Sequence, residues 1–198
     1  GAAYPITPWS DVMEILRREL PKYGGSFIQC EDEIASVCMA LGGSYGGRVA
    51  VTGSSGPGIA LKTEALGWGV MAECMLGNGD RAYEYFRASL PAAYNTRAEV
   101  RQCEPYVQAQ TTYSTFSPRA GNSRTSWLTG AAAWSYYSAT QYILGIRPEL
   151  DGLRIDPCIP SGWDGFSAKR RFRGQIMQIQ VHNPEHVCRG IVNTTIDG

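Results

Sequence analysis

The sequence lacks an excess of charge of either sign, and it lacks any long apolar run. Lysine and arginine together number 18, as do aspartate and glutamate, so the formal net charge at pH 7 is zero. A neutral chain has no strong electrostatic attraction for nucleic acid or for an anionic membrane surface, and neither partner is expected. No apolar run approaches the roughly 20 residues of a membrane-spanning helix. The opening letters GAAYPITPWS also lack the charged and apolar regions of a signal peptide.

Paired cysteines and clustered histidines are missing as well. The chain has six cysteines, none in a CxxC pair, and their spacings match no zinc signature. His182 and His186 are separated by Pro184, which disfavours a helical pair of metal ligands. We therefore predict no metal site, buried reduced thiols and a cytoplasmic location.

The composition supports a packed core and a mixture of helices and strands. Hydrophobic residues make up 43% of the 198 residues, which is enough for one domain or for a medium and a small one. Helical periodicity and capping residues predict helices over 8–20, 32–47, 57–77, 80–90 and 127–144. Short apolar segments predict strands over 24–30 and 48–55, and strand, helix and strand in this order indicate a parallel α/β unit.

Near the C-terminus the hydrophobic period changes to two. Alternating segments over 153–159, 166–174, 175–183 and 188–196, separated by turn residues, predict strands of an antiparallel β-sandwich. The basic run 169–173 is interpreted as a solvated hairpin. The helix predicted over 127–144 is apolar on almost every side, so we expect it to be buried between other helices.

Three motifs in the first third of the chain resemble one enzyme family. The letters YPITP, EDEIAS and TGSSGPGIALKTEALGWGVMAE, within residues 3–73, resemble the α subunit of 2-oxoacid:ferredoxin oxidoreductases of the 2-oxoglutarate type. The resemblance implies thiamine diphosphate with magnesium as the cofactor. It places Glu33 against the aminopyrimidine of the cofactor and Thr7 near the 2-oxoacid. Without it, Glu33 would be read as a solvated carboxylate at a helix N-terminus.

The rest of the chain resembles a different family. Over residues 71–198, motifs such as SPRAGNSRTSWLTGAAAW and LGIRPELDGLRIDPCIPSGWDGF resemble the C-terminal part of glycoside hydrolase family 94, the cellobiose, cellodextrin and chitobiose phosphorylases. The resemblance implies inverting phosphorolysis of a β-linked disaccharide or oligosaccharide to a sugar 1-phosphate, with phosphate as co-substrate and no cofactor. It places phosphate contacts at Thr129 and Gly130, with Arg124 as a further candidate. The alternative is that Thr129 caps a helix, Gly130 allows close packing and Arg124 is a surface residue.

The sequence departs from the phosphorylase pattern in three places. The general-acid aspartate of that family would lie upstream of this chain, so no catalytic residue is assigned. The position of a phosphate-binding histidine falls at about Glu64, where a carboxylate would repel phosphate. A histidine found in relatives is replaced by Tyr113. We therefore expect, at most, one wall of a phosphate site.

These observations predict a mixed fold in three segments. Residues 1–73 would be an α/β fragment similar to a thiamine-diphosphate domain, 74–147 the last helices of an α/α barrel, and 148–198 part of a C-terminal β-sandwich. The sequence leaves three functions open: a phosphorylase fragment that is inactive alone, an oxidoreductase fragment, and a non-functional fusion product joined at 71–73. Because barrel helices without neighbours expose apolar surface, we also expect self-association or a homodimer.

Overall fold

The computed structural model describes residues 1–113 and 115–196, and at positions 56, 57, 59–61, 63, 94 and 95 it describes the backbone alone. The chain divides into two compact units. Unit 1 contains Gly1–Ala65 and Leu90–Ala132, and unit 2 contains Leu66–Ser89 and Ala133–Gly198. The first boundary between the units therefore lies at residues 65 and 66.

The described elements are a mixture of helices and short strands. The helices are α1 (Trp9–Glu19), α2 (Glu33–Tyr45), α3 (Gly56–Leu76), α4 (Gly79–Ser89), α5 (Ala98–Arg101) and α6 (Ala131–Ser138), with 3-10 turns at Leu20–Tyr23 and Pro91–Arg97 and a π turn at Ala139–Ile143. The strands are β1 (Ala2–Ala3), β2 (Ile28–Gln29), β3 (Ala109–Thr112), β4 (Ser123–Ser126), β5 (Ile146–Pro148), β6 (Leu153–Ile155), β7 (Gly165–Phe172) and β8 (Gln175–His182). The mixed fold class is confirmed in this form.

The first four predicted helices are confirmed by α1, α2, α3 and α4. The start of α2 is fixed by Asp32, whose carboxylate accepts a hydrogen bond from the backbone N–H of Ala35 at 2.6 Å. None of the helices within the described residues combines the length and the apolar character that crossing a bilayer requires.

The α/β character of unit 1 is weaker than the sequence predicts. Strands β1 and β2 pair in parallel, with Ala2 opposite Ile28, but each has two residues. The strand predicted over 48–55 is wrong, because that segment is irregular. It still lies beside β1, since the carbonyl of Val51 accepts a hydrogen bond from the N–H of Ala2 at 3.0 Å. Unit 1 also contains the antiparallel pair β3 and β4.

Unit 2 is organised around one hydrophobic cluster. The buried members come from α3, α4, the π turn and the segment after β6: Val70, Cys74, Ala82, Ile143, Cys158 and Ile159. Partly buried aromatic rings surround the cluster, among them Phe86, Trp163 and Phe166. Trp163 lies edge-on to Tyr83, with ring centroids 5.2 Å apart. Burial of apolar surface therefore holds these distant segments together.

The strands of unit 2 form hairpins. Strands β5 and β6 pair antiparallel, and β7 and β8 form a longer antiparallel hairpin in which Gly165 lies opposite His182. The strand predicted over 188–196 is wrong: within the described residues that segment contributes an isolated bridge between Arg189 and Cys158. The described residues form neither a closed barrel nor two packed sheets.

The helix predicted over 127–144 is shorter and more exposed than expected. It begins at Ala131, and its last turn widens into the π turn. Trp127 and Leu128 precede the helix and are 60% and 62% exposed, and Tyr136 within it is 65% exposed. Complete burial was therefore a wrong prediction. Ala131 and Ile143 are buried, whereas Tyr136 is exposed.

Candidate functional site

The predicted phosphate contacts lie in unit 1, immediately before α6. Thr129 and Gly130 form the turn that leads into the helix, and the N–H of Ala131 donates a hydrogen bond to the hydroxyl of Thr129 at 3.2 Å. Thr129 therefore acts as a local cap. Gly130 immediately precedes α6, and the backbone N–H groups at a helix N-terminus attract anions.

The N–H of Gly130 already has an anionic partner. It donates a hydrogen bond to Oε1 of Glu64, on α3, at 2.9 Å. The approach is close, because a Cβ added at Gly130 would lie 2.8 Å from the same oxygen. The carboxylate of Glu64 thus accepts the hydrogen bond of the N–H group for which the resemblance implies a phosphate contact. Glu64 is also the residue at the position where the resemblance expects a phosphate-binding histidine.

Among the described residues of unit 1, no hydrogen bond joins Arg124 to the N–H of Gly130. Arg124 lies on β4 and is exposed, and its guanidinium packs over the ring of Tyr113, 5.7 Å from the centroid. Tyr113 lies at the position where the resemblance predicts a histidine. Arg124 and Tyr113 therefore form a cation–π pair on the surface of the β3–β4 hairpin.

Unit 1 holds a second candidate site around Glu33, at the first turn of α2. Glu33 is 5% exposed, and its Oε1 accepts a hydrogen bond from the hydroxyl of Ser54 at 3.4 Å. A Cβ added at Gly58 would meet both Ser54 and the Glu33 carboxylate, so the backbone packs directly over the carboxylate. Glu33 is therefore a buried group, and the interpretation of a solvated carboxylate is wrong.

A buried lysine completes this second site. Lys62, on α3, is 7% exposed, and its ammonium donates to the hydroxyl of Thr52 at 2.7 Å and to the carbonyl of Gly53 at 2.9 Å. Thr52 in turn donates to the hydroxyl of Ser36 at 3.4 Å, and Ser36 donates to the carbonyl of Glu33 at 2.8 Å. Burial lowers the pKa of Lys62, and the charge of Glu33 opposes that shift.

The sequence reasoning missed Lys62, Thr52 and Ser36. The signal was a lysine in an otherwise apolar stretch of α3, since a lysine that faces the interior needs polar partners. Thr7, assigned near a 2-oxoacid, is exposed, and no described hydrogen bond joins it to the Glu33 site. Among the described residues, no group of three or more histidine, cysteine, aspartate or glutamate side chains is arranged to hold a metal ion.

Family models match three stretches of the chain. Residues 58–145 match the catalytic domain of the glycosyl hydrolase 94 superfamily, and residues 146–187 match the C-terminal domain of glycosyl hydrolase family 65. Residues 1–84 match the thiamine-diphosphate-binding domain of pyruvate flavodoxin/ferredoxin oxidoreductases. Different segments of the chain are therefore similar to different enzyme families. The resemblances read from the sequence are confirmed. The glycosyl hydrolase 94 match and the thiamine-diphosphate-binding match overlap over residues 58–84, which include Glu64 and the predicted junction.

Curated phosphorylases are similar to the larger part of the chain. An N,N'-diacetylchitobiose phosphorylase from Vibrio proteolyticus is 41% identical over 131 residues, which are 66% of this chain and 16% of that protein. A solabiose phosphorylase from Paenibacillus borealis is 35% identical over 129 residues, 65% of this chain and 17% of that protein. The chain therefore spans about a sixth of the length of these relatives.

The smaller part of the chain is similar to 2-oxoglutarate-metabolising enzymes. The 2-oxoglutarate synthase subunit KorA of Methanocaldococcus jannaschii is 50% identical over 72 residues, 36% of this chain and 20% of that protein. The solved 2-oxoglutarate:ferredoxin oxidoreductase of Magnetococcus marinus is also 50% identical, over 36% of this chain and 13% of that chain, with a TM-score of 0.34. The two sets of relatives match different segments, as expected for a chimera.

Proposed function

We propose that the chain is a fragment of an inverting carbohydrate phosphorylase that is inactive on its own. Its parent would cleave a β-linked disaccharide or oligosaccharide with phosphate to give a sugar 1-phosphate. The similarity to curated phosphorylases over two thirds of the chain supports this reaction class. We further propose that 74–147 and 148–198 derive from an α/α barrel and a β-sandwich of a cytoplasmic parent.

The proposed reaction defines what such a site must contain. A carboxylic acid protonates the leaving oxygen, and phosphate attacks the anomeric carbon from the opposite face. Phosphate is itself an anion, so no second carboxylate is needed as a base. The protein must instead present N–H groups, hydroxyls and cations to the phosphate.

The observation that carries the proposed inactivity is the hydrogen bond from Gly130 to Glu64. Phosphate at Gly130 would have to displace the carboxylate from an amide 2.9 Å away and then bind beside a negative charge. The hydroxyl of Thr129 already accepts a hydrogen bond from the N–H of Ala131, and the guanidinium of Arg124 packs over the ring of Tyr113. In the proposed phosphate site, the N–H of Gly130 would therefore already be bound by the Glu64 side chain.

An activity assay tests the reaction. The full chain is incubated with diacetylchitobiose or cellobiose and inorganic phosphate, and sugar 1-phosphate is followed by ³¹P NMR. We expect no product. A sugar 1-phosphate that forms in proportion to the chain's concentration would show that the proposed inactivity is wrong.

A binding experiment tests the role of Glu64. Glu64→Ala removes the carboxylate and leaves the Gly130 N–H free, and Glu14→Ala removes an exposed carboxylate of α1 as the matched control. We expect phosphate affinity, measured by ³¹P line broadening, to rise at least about tenfold in Glu64→Ala, because a hydrogen bond to a charged group contributes about 1.5–3 kcal/mol. Equal phosphate affinity in both variants would show that the N–H of Gly130 does not bind phosphate.

A second function is favoured by the buried Glu33. A carboxylate at this place fits the role of accepting a hydrogen bond from an aminopyrimidine, which assists formation of the thiamine ylid. This fit is confined to one end of the cofactor, and no described cluster fits magnesium, so no catalytic step is derived. Calorimetric titration with thiamine diphosphate and magnesium, compared between the wild type and Glu33→Gln, tests it. Binding that Glu33→Gln abolishes would support the oxidoreductase function, and silence in every assay would support a non-functional fusion product.

A further inference from the structure

Two thiols of unit 2 lie together in its core. Cys74, on α3, is 3% exposed, and Cys158, just after β6, is 2% exposed. Both belong to the same hydrophobic cluster, and neither is in a disulfide. Free cysteines are common in cores as small apolar residues, but two of them in contact have an additional chemistry, because they can be oxidised to a disulfide.

The two thiols are chemically different. Interaction between the two thiols raises the pKa of Cys74 and lowers the pKa of Cys158. Burial raises both values. Cys158 is therefore the better nucleophile of the pair, and Cys74 is placed to react with it.

A cation lies beside both sulfurs. The guanidinium of Arg189 donates to the backbone carbonyls of Cys74 and Met75, at 3.5 and 3.0 Å, and its charge lowers the pKa of each thiol. Asp156, which pairs with Arg189 at 3.0 Å, acts in the opposite direction on Cys158. Arg189 therefore lowers the pKa of both thiols, and the charges of Asp156 and Asp80 oppose this effect at Cys158.

A small cavity gives access to the pair. Its volume is about 20 Å³, and its lining includes both cysteines, Gln141, Tyr142 and Arg189. A cavity needs a volume of roughly 10–15 Å³ to hold one water molecule. The cavity therefore has room for a molecule about the size of water or hydrogen peroxide.

We propose that Cys74 and Cys158 are a redox-sensitive dithiol that hydrogen peroxide converts to a disulfide. The Cys158 thiolate attacks one peroxide oxygen, an S–O bond forms, the O–O bond breaks, and the departing hydroxide takes a proton to become water. The Cys74 sulfur then attacks Cys158, an S–S bond forms, the S–O bond breaks, and a second water leaves. Two thiols are oxidised and one peroxide is reduced to two waters.

The other four cysteines have different surroundings. Cys38 is exposed, and Cys30 and Cys103 lie in unit 1, where Cys103 accepts a hydrogen bond from the hydroxyl of Ser126 at 3.9 Å. Cys188, in unit 2, donates to the carboxylate of Asp80 at 3.7 Å. Exposed thiols are expected to react with any thiol reagent, whereas the dithiol should respond selectively to small oxidants.

Thiol counting on the full chain tests the proposal. The reduced chain is treated with a slight excess of hydrogen peroxide, denatured and alkylated with N-ethylmaleimide. We expect the number of labels to fall from six to four, and dithiothreitol to restore all six. The mass of the unlabelled chain should fall by the two hydrogens lost on forming one disulfide. A non-reducing peptide map should join the peptides that contain Cys74 and Cys158.

Two variants separate the dithiol from its neighbours. In Cys74→Ser, Cys158 should stop at the sulfenic acid and react with dimedone, whereas in Cys38→Ser the disulfide should form as in the wild type. If Cys74→Ser does not fold, the wild-type peptide map still decides. Six labels after peroxide treatment, or a disulfide that joins Cys158 to Cys188, would overturn the proposal.

Discussion

Buried side chains are arranged differently in the two units. In unit 2, the buried residues form a contiguous apolar cluster that includes Val70 and Ile143. In unit 1, the buried set includes Glu33, Lys62 and Ser36, which are joined through hydroxyl groups. The cluster of unit 2 is therefore stabilised by the hydrophobic effect, which is non-directional, and the network of unit 1 by hydrogen bonds, which require suitably placed partners.

This difference predicts which substitutions should lower the stability of each unit. Shortening an apolar side chain in unit 2 removes transfer free energy and leaves a cavity. Altering a charge in either unit changes stability in a pH-dependent manner, to an extent set by how well its partner reaches water. Hydrogen exchange, read peptide by peptide, distinguishes the two units in every experiment below.

The largest effect is expected from Ile143→Ala. Ile143 is 3% exposed in the cluster of unit 2, so the truncation should lower the free energy of unfolding by about 2–5 kcal/mol. Urea denaturation measures the loss, and hydrogen exchange should accelerate first in α4. Ile15→Ala, at a residue of α1 that is 51% exposed, should change stability by at most about 0.5 kcal/mol. Equal losses in the two variants would remove the distinction between the units.

The second effect concerns Asp156, which pairs with Arg147, Arg154 and Arg189 at 3.0–3.3 Å. The hydrogen bond from Arg189 lowers the pKa of Asp156. Its contribution is therefore complete above the ordinary aspartate pKa of about 3.9 and is lost as pH falls through the folded-state value. Asp156→Asn should cost about 1–3 kcal/mol at neutral pH and flatten the acid limb of the stability curve.

The matched control for this prediction is Asp151→Asn, at an exposed position. It should leave both the neutral stability and the acid limb unchanged. If Asp156→Asn retains the wild-type acid limb, another carboxylate is responsible for it.

A smaller effect is expected from Glu73→Gln. Glu73 is 1% exposed, accepts a hydrogen bond from the side-chain amide of Asn78 at 2.8 Å and pairs with Arg81 at 3.3 Å. The glutamine keeps an acceptor for Asn78, and Arg81, with a side chain 58% exposed, remains hydrated. The loss should therefore be about 1 kcal/mol, below the usual cost of breaking a fully buried pair. Glu84→Gln, at an exposed position of α4, should have no effect, and a loss as large as that of Ile143→Ala would contradict this account.

The smallest effect is expected from Lys62, at high pH. Because burial lowers its pKa below 10.5, the unfolded chain binds a proton that the folded chain has already released. The free energy of unfolding should therefore rise slightly as pH increases toward 10.5 in the wild type. The rise should be absent in Lys62→Met and present in the exposed control Lys22→Met. A fall in wild-type stability relative to Lys62→Met over this range would reverse the sign and exclude a lowered pKa.

The helices were predictable because their signals are local. Asp32 ahead of α2 and the amphipathic spacing of α4 depend on neighbours within one or two turns. The strands over 48–55 and 188–196 were predicted wrongly, since a strand requires a partner that its own letters do not specify. For the candidate site, a cap at Thr129 was one of the predicted alternatives, but the hydrogen bond between Gly130 and Glu64 was not predicted.

The sequence by itself indicated the resemblance to two families and the first four helical segments, because motifs and periodicities are linear properties of a chain; the junction at 71–73 remains a prediction. The tertiary structure decided which groups meet: Glu64 with Gly130, 66 positions apart, Lys62 with the Glu33 network, and Cys74 with Cys158. Hydrogen bonds and core contacts depend on distances of a few ångströms. Such distances between remote positions arise only when apolar burial brings the elements together.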